Sequence, residues 1–203
     1  MHYWSACIAL TARVQLLLKF NTLTDSLIIE QTTNWIKSVV IGLNFCPFAA
    51  KAVIQNSIHY SVQQASDIPL TLTELEKQLR LLDEDPKIET TLIIFPNDFK
   101  SFDDYLELVK KAERLLSKLN YDGIYQIASF HPDYCFAGAD EDDAANYTNR
   151  SVYPMLHLLR EDSITKALST FKNPEMIPER NISLAREKGI KYMQVLRAAC
   201  FGN

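Results

Sequence analysis

Four short β-forming runs, spaced by amphipathic stretches, constrain the fold of this chain more than any other feature. "IHYSVQ" (58–63) alternates and "TLIIF" (91–95) is an unbroken run bounded by Pro96. "IYQIASF" (124–130) and "PMLHLL" (154–159) complete the set. Short runs of this kind, rich in β-branched and aromatic residues, read as strands. Between the first two, Leu72, Leu75, Leu79 and Leu82 form a helical stripe behind a Thr71–Glu74 capping box. Between the second and third, Tyr105, Leu108, Ala112, Leu115 and Leu119 do the same behind Ser101 and Asp104. A further helix runs from Asp25 to about Gly42. Ser163 caps "ITKALSTF", and the tail from Pro178 to Phe201 reads as two helices broken at Gly189. Strands alternating with helices predict an α/β fold, a single layer-type domain with a small, largely parallel sheet flanked by helices.

The 203 residues suit one such domain, expected over residues 25–203. Residues 1–24 read as an N-terminal appendage. They are apolar but interrupted by Arg13 and Lys19, which suits neither a membrane span nor a signal peptide. The formal charge of −4, with no Lys/Arg cluster, argues against a nucleic-acid partner. Cys7, Cys46, Cys135 and Cys200 lack CxxC spacing and read as free thiols of a cytoplasmic protein. There is no GxGxxG, Walker A, HExxH or GxSxG motif, which removes most dinucleotide, nucleoside-triphosphate and serine-hydrolase readings.

The chemistry is concentrated after the third strand. "SFHPDYCFAGADEDDAANYTNRS" (129–151) holds a histidine, a cysteine and five acidic residues, and its last part carries Asn146, Asn149 and Arg150. His131 follows a strand end, where open α/β sheets place their ligands, and Pro132 stiffens its backbone. An imidazole there can act as general acid or base. If the chain is helical from about Asp142, then Asp142 or Asp143, Asn146, and Asn149 or Arg150 share a face. Arg150 suits a carboxylate or phosphate clamp. His131 with Asp133, Asp140, Asp142 and Asp143 forms a candidate set for a divalent metal such as manganese, iron or zinc. His157 and Arg160 in "LHLLRED" are further candidates for binding substrate. Cys46 in "LNFCPFA" becomes a nucleophile only if folding brings His131 beside it.

At "LNFCPFA", at "SFHPDYCFAGADEDDAANYTNRSVYPMLHLLRED" and at "NISLAREKGI", the chain resembles a bacterial family catalogued as domain of unknown function 1415. The resemblance spans about residues 25–193 and implies a self-contained domain, with no activity to carry over. Three expectations follow from residue chemistry alone. The first is an enzyme acting on a small anionic metabolite at the His131–Arg150 segment, with or without a metal. The second is a non-catalytic module binding a small molecule or a metal. The third is a structural network in which aspartates pair with Arg150 and leave no cleft.

Overall fold

The computed structural model describes residues 23–169 and 172–202, so the expected appendage, apart from Leu23 and Thr24, lies outside the described residues, as does Cys7. Helix α1 (Asp25–Trp35) is capped by Thr24, whose side chain accepts from the Leu27 amide. It continues into a π-helical stretch, Ile36–Ile41, that stops at Gly42. Next come α2 (Ala49–Ile54), β1 (Ile58–Val62), α3 (Ile68–Glu84), β2 (Thr90–Ile94), α4 (Phe102–Lys118) and β3 (Tyr125–Phe130). A 3-10 turn (Ala144–Thr148) precedes β4 (Met155–Arg160), and α5 (Glu161–Leu168), α6 (Ile177–Lys188) and α7 (Ile190–Ala198) finish the chain.

All four expected strands form, but the sheet is mixed rather than largely parallel. Its order is β1-β2-β4-β3, and only β1 and β2 pair in parallel. The reason lies in the connections. Parallel neighbours need a crossover of a dozen or more residues, usually helical. α3 supplies one between β1 and β2. The link from β3 to β4 holds only the five-residue 3-10 turn, and β4 returns antiparallel between β2 and β3. Hence β1, β2 and β3 all point one way, and their carboxyl ends share one end of the sheet with the start of β4.

Strand alternation sends Leu92, Ile94 and Met155 to one face, under α1, α6 and α7. Ile93, Phe95, Leu156 and Leu158 go to the other, under α3 and α4. Each face therefore has its own core, and the sheet lies between two helical layers. Central β2 is buried along its whole length, which accounts for its unbroken apolar run.

Three expected helix starts shift or disappear. α3 begins one turn before the Thr71–Glu74 box, because the Asp67 carboxylate accepts from the Leu70 amide at 2.8 Å and Pro69 suits a first turn. α5 starts at Glu161, directly after β4, and leaves Ser163 inside the helix. The helix expected from Asp142 is only the 3-10 turn, capped by Asp143. Ser101 does cap α4, and Gly189 does break the tail.

Candidate functional site

The segment from His131 to Pro154 closes over the carboxyl ends of β2 and β3, as expected of an α/β site. His131 itself is fully buried. Its Nε2 faces the Phe99 carbonyl at 2.9 Å, and its Nδ1 faces the Asp133 amide at 3.0 Å. A carbonyl only accepts and an amide only donates, so the ring is the neutral tautomer with its proton on Nε2. It packs between Phe102 and Tyr105, with ring centroids 5.2 and 5.0 Å away. Burial lowers its pKa, and the Asp133 charge partly opposes that. Both nitrogens are committed to the main chain, which leaves no free position for proton transfer or metal binding.

What His131 holds is informative. Phe99 has φ +54°, a left-handed conformation costly for an aromatic residue, and its carbonyl is the one His131 engages. The ring of Phe99 packs edge-on against Phe95. Phe99 also lines an open cleft of about 460 Å³ between the start of α3 and the N-terminal half of α4, together with Asp67, Asp104, Glu107 and Lys111. That cleft is lined by none of the expected site residues.

The rest of the segment is held by main-chain groups. Asn146, fully buried, accepts from the Phe136 amide at 3.0 Å and donates to the Asp140 carbonyl at 2.9 Å. Asn149 donates to the Ser129 carbonyl at 3.3 Å. Arg150 donates from Nε to the Tyr134 carbonyl (2.9 Å) and from Nη2 to the Glu141 carbonyl (2.8 Å). Asp143 caps the 3-10 turn and pairs with Arg186 of α6, whose guanidinium lowers its pKa. Asp133, Asp140 and Asp142 have exposed side chains. Among the described residues, no three His, Cys, Asp or Glu side chains gather in a way that could hold a metal ion. The expected set His131, Asp133, Asp140, Asp142 and Asp143 is thus not brought together.

No hydrogen bond joins Cys46 and His131 among the described residues: Cys46 follows Phe45 of the first core, while the His131 ring packs on Phe102 and Tyr105 and both its nitrogens face main-chain groups. His157 and Arg160 lie along β4 away from its start. Arg160 pairs with Tyr125 at the opposite end of β3 from Phe130, five residues of strand or roughly 17 Å from Met155. There Arg160 donates to the Leu82, Asp85 and Ile88 carbonyls and to the Tyr125 hydroxyl, tying the end of α3 to the sheet. Burial and the Asp83 hydrogen bond raise the Tyr125 pKa to about 12. Arg160→Met is therefore expected to cost about 2–3 kcal/mol in a urea titration, since several carbonyls lose a charged donor together.

One cation at this end was not foreseen. Arg197 of α7 donates to the Pro132 carbonyl at 2.5 Å, and its charge contributes to lowering the His131 pKa. The Arg197 and Arg150 guanidinium carbons lie 5.6 and 5.0 Å from the centroid of the same buried ring, Tyr147. Neither arginine has a carboxylate partner among the described residues. A signal was present in the sequence, because Met193 and Leu196 of α7, with Cys200 just after it, lie three to four residues apart and mark an inward face that Arg197 shares.

Among the described residues, no helix is long and apolar enough to cross a membrane. No curated protein and no solved structure matches the chain. A family model does match, over residues 27–195, and the chain belongs to that family, described as protein of unknown function (DUF1415).

Proposed function

We infer that this protein binds a small anionic metabolite, a carboxylate or phosphate, at the carboxyl end of its sheet, with Arg150 and Arg197 as the anion-reading pair. The observation that carries this reading is the placement of two guanidinium groups against one tyrosine ring, each held by main-chain carbonyls. Carbonyls orient a guanidinium without cancelling its charge, so two like charges stay uncompensated in a partly buried place. An anion supplies the missing charge and accepts the remaining N–H donors. The role is binding rather than acid–base chemistry at His131, because a catalytic imidazole needs a free nitrogen and His131 has none.

The test is isothermal titration with inorganic phosphate and with succinate at low ionic strength. Either anion is expected to bind the wild type with an affinity that falls as chloride is added. Arg197→Gln, which keeps a donor for Pro132 but removes the charge, is expected to weaken binding about tenfold. Affinity no greater than for chloride, or an unchanged affinity in the variant, would remove the reading.

A further inference from the structure

Helices α3 and α4 pack on the same face of the sheet, and each begins a few residues beyond the carboxyl end of the strand before it. The cleft of about 460 Å³ between them therefore opens where an α/β sheet places its ligands. Its volume falls within the range of small-molecule pockets, roughly 300–1,000 Å³. Three apolar side chains line it, Ile68, Pro69 and Phe99, with four charged ones, Asp67, Asp104, Glu107 and Lys111.

The apolar part of the lining is anchored from below. His131 Nε2 holds the Phe99 carbonyl at 2.9 Å, and the Phe99 ring packs 5.0 Å from the ring of fully buried Phe95. Ile68 and Phe99 both pack against the second core and are themselves only half-buried. The charges do not cancel. Lys111 pairs with Glu107 at 2.6 Å, which engages the only cation of the lining with one of its three carboxylates. Asp67 caps α3 through Oδ1, at 2.8 Å from the Leu70 amide, and its Oδ2 has no partner among the described residues. The Asp104 carboxylate has no hydrogen-bond or ion-pair partner among the described residues, although its amide donates to Ser101. In water a carboxylate needs no partner, so it is the apolar surface beside this pair that selects an occupant.

We propose that the cleft binds an organic cation, a primary amine with an apolar body about the size of a phenyl ring. The body covers Phe99, Ile68 and Pro69, and the ammonium head meets Asp67 and Asp104. Other occupants fit less well. An anion meets three carboxylates against one lysine, a net charge of −2. A metal ion needs converging ligands, and among the described residues no three His, Cys, Asp or Glu side chains gather to hold one. A bare ammonium ion leaves the apolar surface wet, and a neutral apolar molecule leaves the carboxylates unread. The cleft shares no residue with Arg150 and Arg197 and takes the opposite charge, so it stands independently of the anion site.

Isothermal titration at pH 7.5 and low ionic strength, with phenethylamine, phenethyl alcohol and ammonium chloride, tests the proposal. Phenethylamine is expected to saturate one site, with the alcohol and ammonium each weaker by about tenfold or more. Asp67→Asn keeps the α3 cap, because asparagine caps as well as aspartate. Combined with Asp104→Asn, it is expected to weaken amine binding about tenfold. Phe99→Gly suits a φ of +54° and removes the ring, with an expected loss of the same size. Equal affinity for the amine and the alcohol overturns the proposal, as does an amine affinity unchanged in both variants. An oligolysine peptide that binds about tenfold tighter than the amine also overturns it, and makes the cleft a docking place for a basic protein segment. Should the double variant fail to fold, Asp104→Asn alone decides by the same criterion.

Discussion

His131→Ala is expected to lower the melting midpoint by about 10 °C, the largest loss for any single substitution in the segment it opens. Three effects act together. The buried Phe99 carbonyl and Asp133 amide each lose their side-chain partner, at about 1–3 kcal/mol apiece where water cannot replace it. The ring leaves a cavity between Phe102 and Tyr105. The left-handed backbone of Phe99 loses the contact that fixes it. A total near 3–4 kcal/mol corresponds to about 10 °C in a chain of this size. A calorimetric scan of the variant decides the matter. A midpoint within a degree of the wild type, together with lost anion binding, would mean that the imidazole meets the ligand instead of the backbone.

That expectation reverses the role the sequence suggests for His131, and the reversal has a physical cause. A histidine after a strand end looks the same whether it faces solvent or a core. Its fate was decided by Phe99, Phe102 and Tyr105, which arrive from the chain some thirty residues earlier. Local patterns were legible: the four strands, the Ser101 cap and the break at Gly189 all follow from short-range propensity. Strand direction was not, because side-chain alternation is the same for a parallel and an antiparallel neighbour. The stretch that decides it, from Asp142, could be read as a helix but forms only a 3-10 turn. Similarly, the amides of Asn146 and Asn149 and the guanidinium of Arg150 were recognisable as strong hydrogen-bonding groups, but their partners are main-chain carbonyls and amides that no residue type announces. The third expectation had aspartates pairing with Arg150; instead Arg150 engages main-chain carbonyls, and among the described residues the aspartate–arginine ion pair is Asp143 with Arg186.

The second large effect is a loss of stability on mild acidification, centred on His157. Burial pushes its pKa down to about 4 from the usual 6.5. The Thr90 hydroxyl spends its hydrogen on the Leu158 carbonyl at 2.5 Å, so the ring donates from Nε2 to Thr90 Oγ1 at 2.6 Å and is neutral. Below pH 6.5 the unfolded chain gains a proton on this histidine that the folded chain refuses. Stability is therefore fully present above pH 6.5 and falls as the pH drops towards 4, with no further contribution below that. Between pH 7 and 5 the loss should reach about 1.5–2 kcal/mol. His131, whose pKa is also lowered by burial, adds to the slope in the same direction. Urea midpoints at pH 7 and 5 should converge by that amount in His157→Leu, which keeps an apolar side chain beside Phe130 and cannot be protonated. If the variant loses as much stability as the wild type over this interval, His157 carries its proton in the folded state as readily as in the unfolded chain, and burial does not hold it neutral. A slope that shrinks but does not vanish isolates the share belonging to His131.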